Sequence, residues 1–149
     1  MPKIPTHLYL IHFMLMLSPA ALALVIHFAV LPGERGEAMP KEQIGIFQTV
    51  AAALAVVAVG MSQLIPRFMT RSSAGHKTSG VQIMPLRKFS TMKIVQWSML
   101  EGAALFIAGV FYMTRQQGML MPLGILIALL ALMRPTQYEM ERYNVKETA

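Results

Sequence analysis

Residues 94–114, IVQWSMLEGAALFIAGVFYMT, form the stretch that decides the fold. Its length is about what a helix needs to cross a bilayer, and it contains one charged residue, Glu101, near its middle. A carboxylate at bilayer depth is costly when it is ionised and unpaired, so such residues tend to be neutral, paired or functional. The other acidic residues lie outside the apolar stretches. This stretch therefore predicts a transmembrane helix with one residue suited to chemistry.

The composition of the whole chain is that of a membrane protein. Of 149 residues, 55% are hydrophobic and 13% are charged, and the mean hydropathy is +0.52. The absence of cysteine excludes disulfides, thiolate metal sites and cysteine nucleophiles. The net charge of +6 comes from basic residues beside apolar stretches, which is typical of membrane topology signals. We therefore expect no nucleic-acid partner.

Four apolar stretches predict an all-α fold with a single transmembrane domain over residues 1–149. The predicted spans are about residues 8–31, 44–66, 94–114 and 118–134, and a basic loop covers residues 67–93. Lys3 and the apolar run after it resemble a secretory signal, but the length of the run favours a retained signal-anchor helix. Pro66 is expected to end the second span.

A short surface helix is predicted after the last span, over residues 136–144. Thr136 is a suitable N-cap, and Glu139 follows three residues later, as in a capping box. Tyr138 and Tyr143 are expected at the headgroup zone.

The basic residues predict the orientation in the membrane. With both termini cytoplasmic, ten Lys or Arg residues lie inside and three lie outside. We expect an integral protein of a bacterial inner membrane, with anionic lipid headgroups at the loop of residues 67–93.

Two segments of the chain resemble each other. Residues 16–22, MLSPAAL, match residues 99–105, MLEGAAL, at five of seven positions. Pro66 and Pro135 mark the ends of the second and fourth spans. We expect two copies of one helical hairpin, with functional sites between the copies. Ser18 then occupies the position of Glu101; chance matching of Ala and Leu is the alternative.

Glu101 is the centre of the candidate site. Other polar residues are expected nearer the cytoplasmic surface, where they could form a route to it. The candidate ion-binding residues are Glu101, Ser18, Ser62, Gln63 and His12. The alternative is that Glu101 is a neutral acid whose hydrogen bonds across a helix interface hold the helices together.

No other chemistry is predicted. A bis-histidine haem site needs two facing imidazoles at one depth, whereas His12 and His27 lie at opposite ends of one helix. No catalytic triad, metalloprotease motif or glycine-rich phosphate loop is present in the sequence. We expect a protein that is not an enzyme and holds no cofactor and no metal.

Small residues predict close helix contacts, because the backbones of transmembrane helices can approach where side chains are small. The candidate packing residues are Gly102, Ala103, Ala104, Ala51, Ala52 and Ala55.

Residues 99–106, MLEGAALF, are similar to the carboxylate helix of c-type proteolipids, the ring subunits of rotary ATP synthases. The resemblance covers about twenty residues and implies that Glu101 is an ion-binding carboxylate. The chain also looks like four-helix subunits of larger membrane complexes. Two functions are predicted: a non-enzymatic integral subunit of a larger or homo-oligomeric complex, or an ion-translocating proteolipid-like subunit that uses Glu101 as the carrier.

Overall fold

The protein is all-α, with three helices long and apolar enough to cross a membrane. The computed structural model describes residues 3–30, 40–71 and 84–146. The helices are α1 (Thr6–Val25), which continues as a π-helical turn (Ile26–Val30), α2 (Lys41–Arg71), α3 (Leu86–Thr114), a 3₁₀ turn (Gln117–Met119), α4 (Leu120–Leu132) and α5 (Gln137–Arg142).

The candidate spans are Thr6–Phe28, Glu42–Thr70 and Leu86–Thr114, and the apolar helix Gln117–Leu132 is shorter. The expectation of membrane helices is thus confirmed.

Helix α3 is the centre of the bundle. It packs against α1, α2 and α4, and α1 also packs against α4. Its buried residues recur every three or four positions, as a helix with one covered face requires. They include Phe89, Met92, Leu100, Ala103, Ala104, Ile107, Ala108 and Phe111. α3 ends where Arg115 adopts a left-handed conformation, φ 55°, and donates its N–H to the Phe111 carbonyl.

Side-chain contacts fix the relative directions of the helices. His12, early in α1, bonds to Leu130, late in α4, and Gln96, early in α3, bonds to Ser62, late in α2. Trp97, also early in α3, bonds to Met133, which follows α4, and meets the His12 ring. Consecutive helices therefore run in opposite directions, and α5 lies at the same end of the bundle as the start of α1.

Helix α2 does not end at Pro66, as the sequence suggested, but continues to Arg71. A proline inside a helix has no N–H for the carbonyl four residues earlier, which here belongs to Ser62. The Gln96 side chain donates to that carbonyl instead, Nε2 to O 2.6 Å. The hydrogen bond lost to proline is replaced from α3, so the helix can continue.

Helix α3 also begins earlier than predicted, at Leu86 rather than at residue 94. The predicted basic loop of residues 67–93 is correspondingly shorter, because both of its ends are helical. Residues 72–83 of that loop lie outside the described residues.

The C-terminal segment is attached to the start of α3. Thr136 caps α5 as predicted, since its hydroxyl accepts a bond from the Glu139 N–H at 3.3 Å. Two short strands, β1 (Met84–Pro85) and β2 (Val145–Lys146), pair in parallel, which the sequence did not predict. Asn144 has φ 47° and turns the chain into this pairing.

Candidate functional site

Glu101 and Ser18 form a polar pair halfway along the bundle. The Ser18 hydroxyl lies beside the Glu101 carboxyl, between α1 and α3. Glu101 is half-buried, whereas Ser18 is exposed on the surface of the bundle. The pair therefore lies at the edge of the α1–α3 interface rather than in the core.

The surface around this pair is open. Gly102 is exposed, and a Cβ atom added there would meet no atom within 4 Å beyond the adjacent residues and backbone of its own helix. Ser98 and Phe106, one helical turn to either side on α3, are also exposed. We call Ser18, Ser98, Glu101, Gly102 and Phe106 the Glu101 face.

A second polar group, at the end of the bundle that holds α5, is buried. The Trp97 Nε1 donates to the Met133 carbonyl at 2.9 Å, and the His12 Nε2 lies 2.7 Å from the Leu130 carbonyl. The His12 and Trp97 rings meet edge to face, with centroids 4.8 Å apart. These two side chains therefore bind carbonyls at the end of α4, where few intrahelical donors remain; the Leu130 carbonyl also accepts from the Met133 N–H at 3.2 Å.

Gln96 and Ser62 hold α3 to α2 at the same end. The Ser62 hydroxyl donates to the Val59 carbonyl within its own helix, at 2.8 Å, and its backbone carbonyl accepts from Gln96. The other atom of the amide, Gln96 Oε1, is buried without a hydrogen-bond partner. Gln63 is exposed.

The five candidate ion-binding residues thus lie in different places. Glu101 meets Ser18, His12 caps α4, Ser62 accepts from Gln96, and Gln63 is exposed. The hydrogen bonds among the described residues join these side chains in separate groups rather than in a continuous route to Glu101.

An ion pair between Lys93 and Glu139 was not predicted. Lys93 Nζ and Glu139 Oε1 are 2.5 Å apart, and the side chains are 2% and 30% exposed. The capping-box pattern assigns Glu139 to the start of α5, and the sequence predicts that Lys93 lies in a loop. A helical register extended back from Leu100 through Gln96 to Lys93 would have placed this lysine on the buried face of α3.

One aromatic contact and one buried methionine complete the attachment of the C-terminal segment. Tyr143 packs against Phe89, with ring centroids 6.3 Å apart, and Met140 of α5 is buried. Tyr138 is 72% exposed, so of the two tyrosines expected at the headgroup zone it is the accessible one.

The candidate packing residues divide between covered and open positions. Ala51, Ala103 and Ala104 are buried, and Ala55 is partly buried. Ala51, Ala55, Ala58 and Ser62 recur at alternating steps of four and three residues, which places them along the seam with α3. Ala52 and Gly102 are exposed. Four of the six therefore pack inside the chain, and two are available to other molecules.

At the opposite end of the bundle, His27 lies in the π-helical turn. Its ring meets Phe28 edge to face at 4.7 Å and stacks on Phe111 at 6.3 Å, and its Nδ1 has no hydrogen-bond partner. No group of three or more metal-ligating side chains occurs within residues 3–30, 40–71 and 84–146.

Comparison with protein-family models, curated proteins and solved structures found no match to this chain. The site contains one carboxyl group at the surface of an apolar bundle, with a serine hydroxyl beside it and open space over the next glycine. Such a group can hydrogen-bond to a neighbouring helix or exchange a proton or cation.

Proposed function

We propose that this protein is a non-enzymatic integral subunit of a larger or homo-oligomeric membrane complex. The observation that supports this is the position of the Glu101–Ser18 pair on the surface of the bundle. A lone chain in lipid would present this carboxyl to hydrocarbon, at a substantial cost in free energy. Contact with another protein surface would remove that cost.

The proposal includes a fourth membrane crossing by α4. The apolar helix Gln117–Leu132 is about 25 Å long from its helical rise, a few ångströms less than a typical hydrocarbon core. Local thinning of the bilayer accommodates a deficit of this size. The alternating helix directions support this crossing, because α4 returns to the end where α1 begins.

Both termini then lie on the cytoplasmic side. The end of the bundle that holds α5 also carries exposed Arg67, Arg87, Arg134 and Arg142, as the positive-inside rule requires. Anionic lipid headgroups are the partners we propose for this basic surface. Reporter fusions after residue 149 and within residues 72–79 should report the cytoplasm, and a fusion at residue 36 should report the other side. A cytoplasmic signal at residue 36 would contradict this orientation.

An internal duplication is also part of the proposal. Ser18 and Glu101, equivalent in the two matching segments, meet between α1 and α3. Side chains of α1 and α3 also bind carbonyls of α4 and α2 in a similar way, His12 to Leu130 and Gln96 to Ser62. His12 and Gln96 are 84 positions apart, and Ser62 and Leu130 are 68 positions apart. The sequence repeat has similar offsets, 83 positions between the two matching segments and 69 between Pro66 and Pro135. Two hairpins related by a pseudo-two-fold axis would produce this pattern.

The association is tested by native mass spectrometry after release from membranes in mild detergent. Species heavier than the 16.5 kDa chain are expected. The variant Glu101→Gln should keep them, because an amide can replace the hydrogen bonds of an acid, whereas Glu101→Leu should lose them. Detection of the single chain alone for the wild type would contradict the proposal.

The second candidate function is ion or proton translocation with Glu101 as the carrier. The open surface over Glu101 favours this alternative, because a carrier carboxyl must be accessible in the membrane. A carbodiimide should then label Glu101, and cations should protect it. Glu101→Gln should assemble normally but abolish transport, since an amide does not titrate. Full transport by this variant would exclude the carrier role.

A further inference from the structure

The Glu101 face combines polar groups with room for a close neighbour. Ser18, Ser98, Gly102 and Phe106 are exposed there. As at the other described glycines, a Cβ placed on Gly102 would have no neighbour within 4 Å beyond the adjacent residues and backbone of its own helix. Leu17, next to Ser18, is 45% exposed. The face is therefore a shallow apolar surface with a carboxyl and two serine hydroxyls near its centre.

The hydrogen-bonding groups of this face complement one another. A carboxylic acid has an O–H donor and acceptor oxygens, and a serine hydroxyl both donates and accepts. A two-fold axis brings the same patch of two molecules together, so each group must suit the face of the other copy. Two Glu101–Ser18 pairs meet this condition without a cation or any other chemical group.

The same two groups already lie side by side within one chain. Ser18 on α1 and Glu101 on α3 join two helices that run in the same direction. A second copy would extend the contact from the edge of that interface, and the absence of a side chain at Gly102 would let the backbones approach.

We propose that the Glu101 face is a two-fold interface with a second copy of this chain, in which Glu101 and Ser18 of each copy hydrogen-bond with those of the other. This inference rests on the proposed role in a membrane complex and identifies the partner at this face.

Cysteine cross-linking tests the interface directly, because the chain has no cysteine of its own. Gly102→Cys should form a disulfide-linked homodimer when membranes are oxidised, since a residue near a two-fold axis lies close to its own copy. The matched control is Ile125→Cys, on α4 and 55% exposed. It should form several-fold less dimer at the same expression level.

The contribution of Glu101 to dimerisation is measured in two ways. One is the yield of cross-linked dimer in the Gly102→Cys background, and the other is the loss of dimer as labelled chains are diluted in lipid vesicles. Glu101→Gln should retain dimerisation. Glu101→Leu removes hydrogen bonds on both sides of the axis and should weaken dimerisation about tenfold. Equal dimerisation of the Gln and Leu variants would overturn the role assigned to the carboxyl.

The outcomes separate this inference from the proposed function. If Gly102→Cys yields no more homodimer than Ile125→Cys, the second-copy interface is wrong. If native mass spectrometry then still finds a complex with a different subunit, the proposed function stands without this interface. If it finds only the single chain, both proposals fail.

Discussion

The two polar regions of this bundle differ in where their hydrogen-bond partners come from. At the end that holds α5, Gln96, Trp97 and His12 bind backbone carbonyls of α2 and α4. Halfway along the bundle, Glu101 meets one serine at an exposed edge. The first region joins helices of the same chain. The second leaves hydrogen-bonding capacity at the surface.

This difference indicates how each region should respond to substitution. Removal of a buried partner leaves another group of the same chain unsatisfied and destabilises the fold. Removal of the Glu101 carboxyl takes a neighbouring polar group away from Ser18 alone, and Ser18 is already exposed. Changes at the α5 end should therefore affect folding, and changes at the Glu101 face should affect association.

The largest effect is expected from Glu139→Leu. It leaves the Lys93 ammonium, 2% exposed, without its partner. Loss of one member of a buried ion pair costs roughly 3–5 kcal/mol, and the 30% exposure of Glu139 favours the lower end. Unfolding in detergent by added denaturing surfactant measures the change. Lys93→Met together with Glu139→Leu should recover most of the loss, and Glu141→Leu on the exposed side of α5 should have little effect. Equal stability of the single and double variants would contradict the prediction.

A smaller loss is expected from Gln96→Leu, which leaves the Ser62 carbonyl without a donor. The expected cost is about 1–3 kcal/mol. Pro66→Ala should restore stability in the same chain, because alanine supplies the N–H that proline lacks. If Pro66→Ala stabilises the wild type and the Gln96→Leu variant equally, Gln96 does not replace that hydrogen bond.

Trp97→Phe should cost about 1 kcal/mol or somewhat more. The aromatic ring still fills most of the space, but the donor to the Met133 carbonyl is lost. The thermal midpoint of the purified protein measures this change. The control Phe106→Leu lies at the exposed face and should shift the midpoint less.

The smallest effect on folding is expected at Gly102. Gly102→Leu adds a side chain into open space, so the stability of the single chain should change by no more than about 0.5 kcal/mol. The same substitution should disrupt association, because it holds neighbouring backbones apart. Unchanged association in native gels would show that this face contacts lipid.

The sequence predicted the parts of the structure that depend on local pattern. Apolar length indicated the membrane helices, and the spacing of Thr136 and Glu139 indicated the cap of α5. The prediction of where α2 ends was wrong because the donor that compensates for Pro66 comes from Gln96, thirty positions away in the chain. Such a contact depends on helix packing and leaves no local signal.

The sequence predicted only part of the candidate site, because the rest also depends on helix packing. Glu101 was identifiable from its charge alone, and the repeat aligned Ser18 with it. The pairing of Lys93 with Glu139 depends on how α5 folds back against α3, which local sequence does not specify. The separation of His12, Ser62 and Gln63 from Glu101 likewise follows from the rotation of each helix about its axis.

The central position of α3 has a consequence for biosynthesis. α1 and α2 both pack on α3, yet the ribosome completes them first. Until α3 enters the membrane, the two early helices lack the helix on which both of them pack. Insertion of this chain should therefore depend on a protein-conducting channel or insertase that retains the first two helices until the third is synthesised.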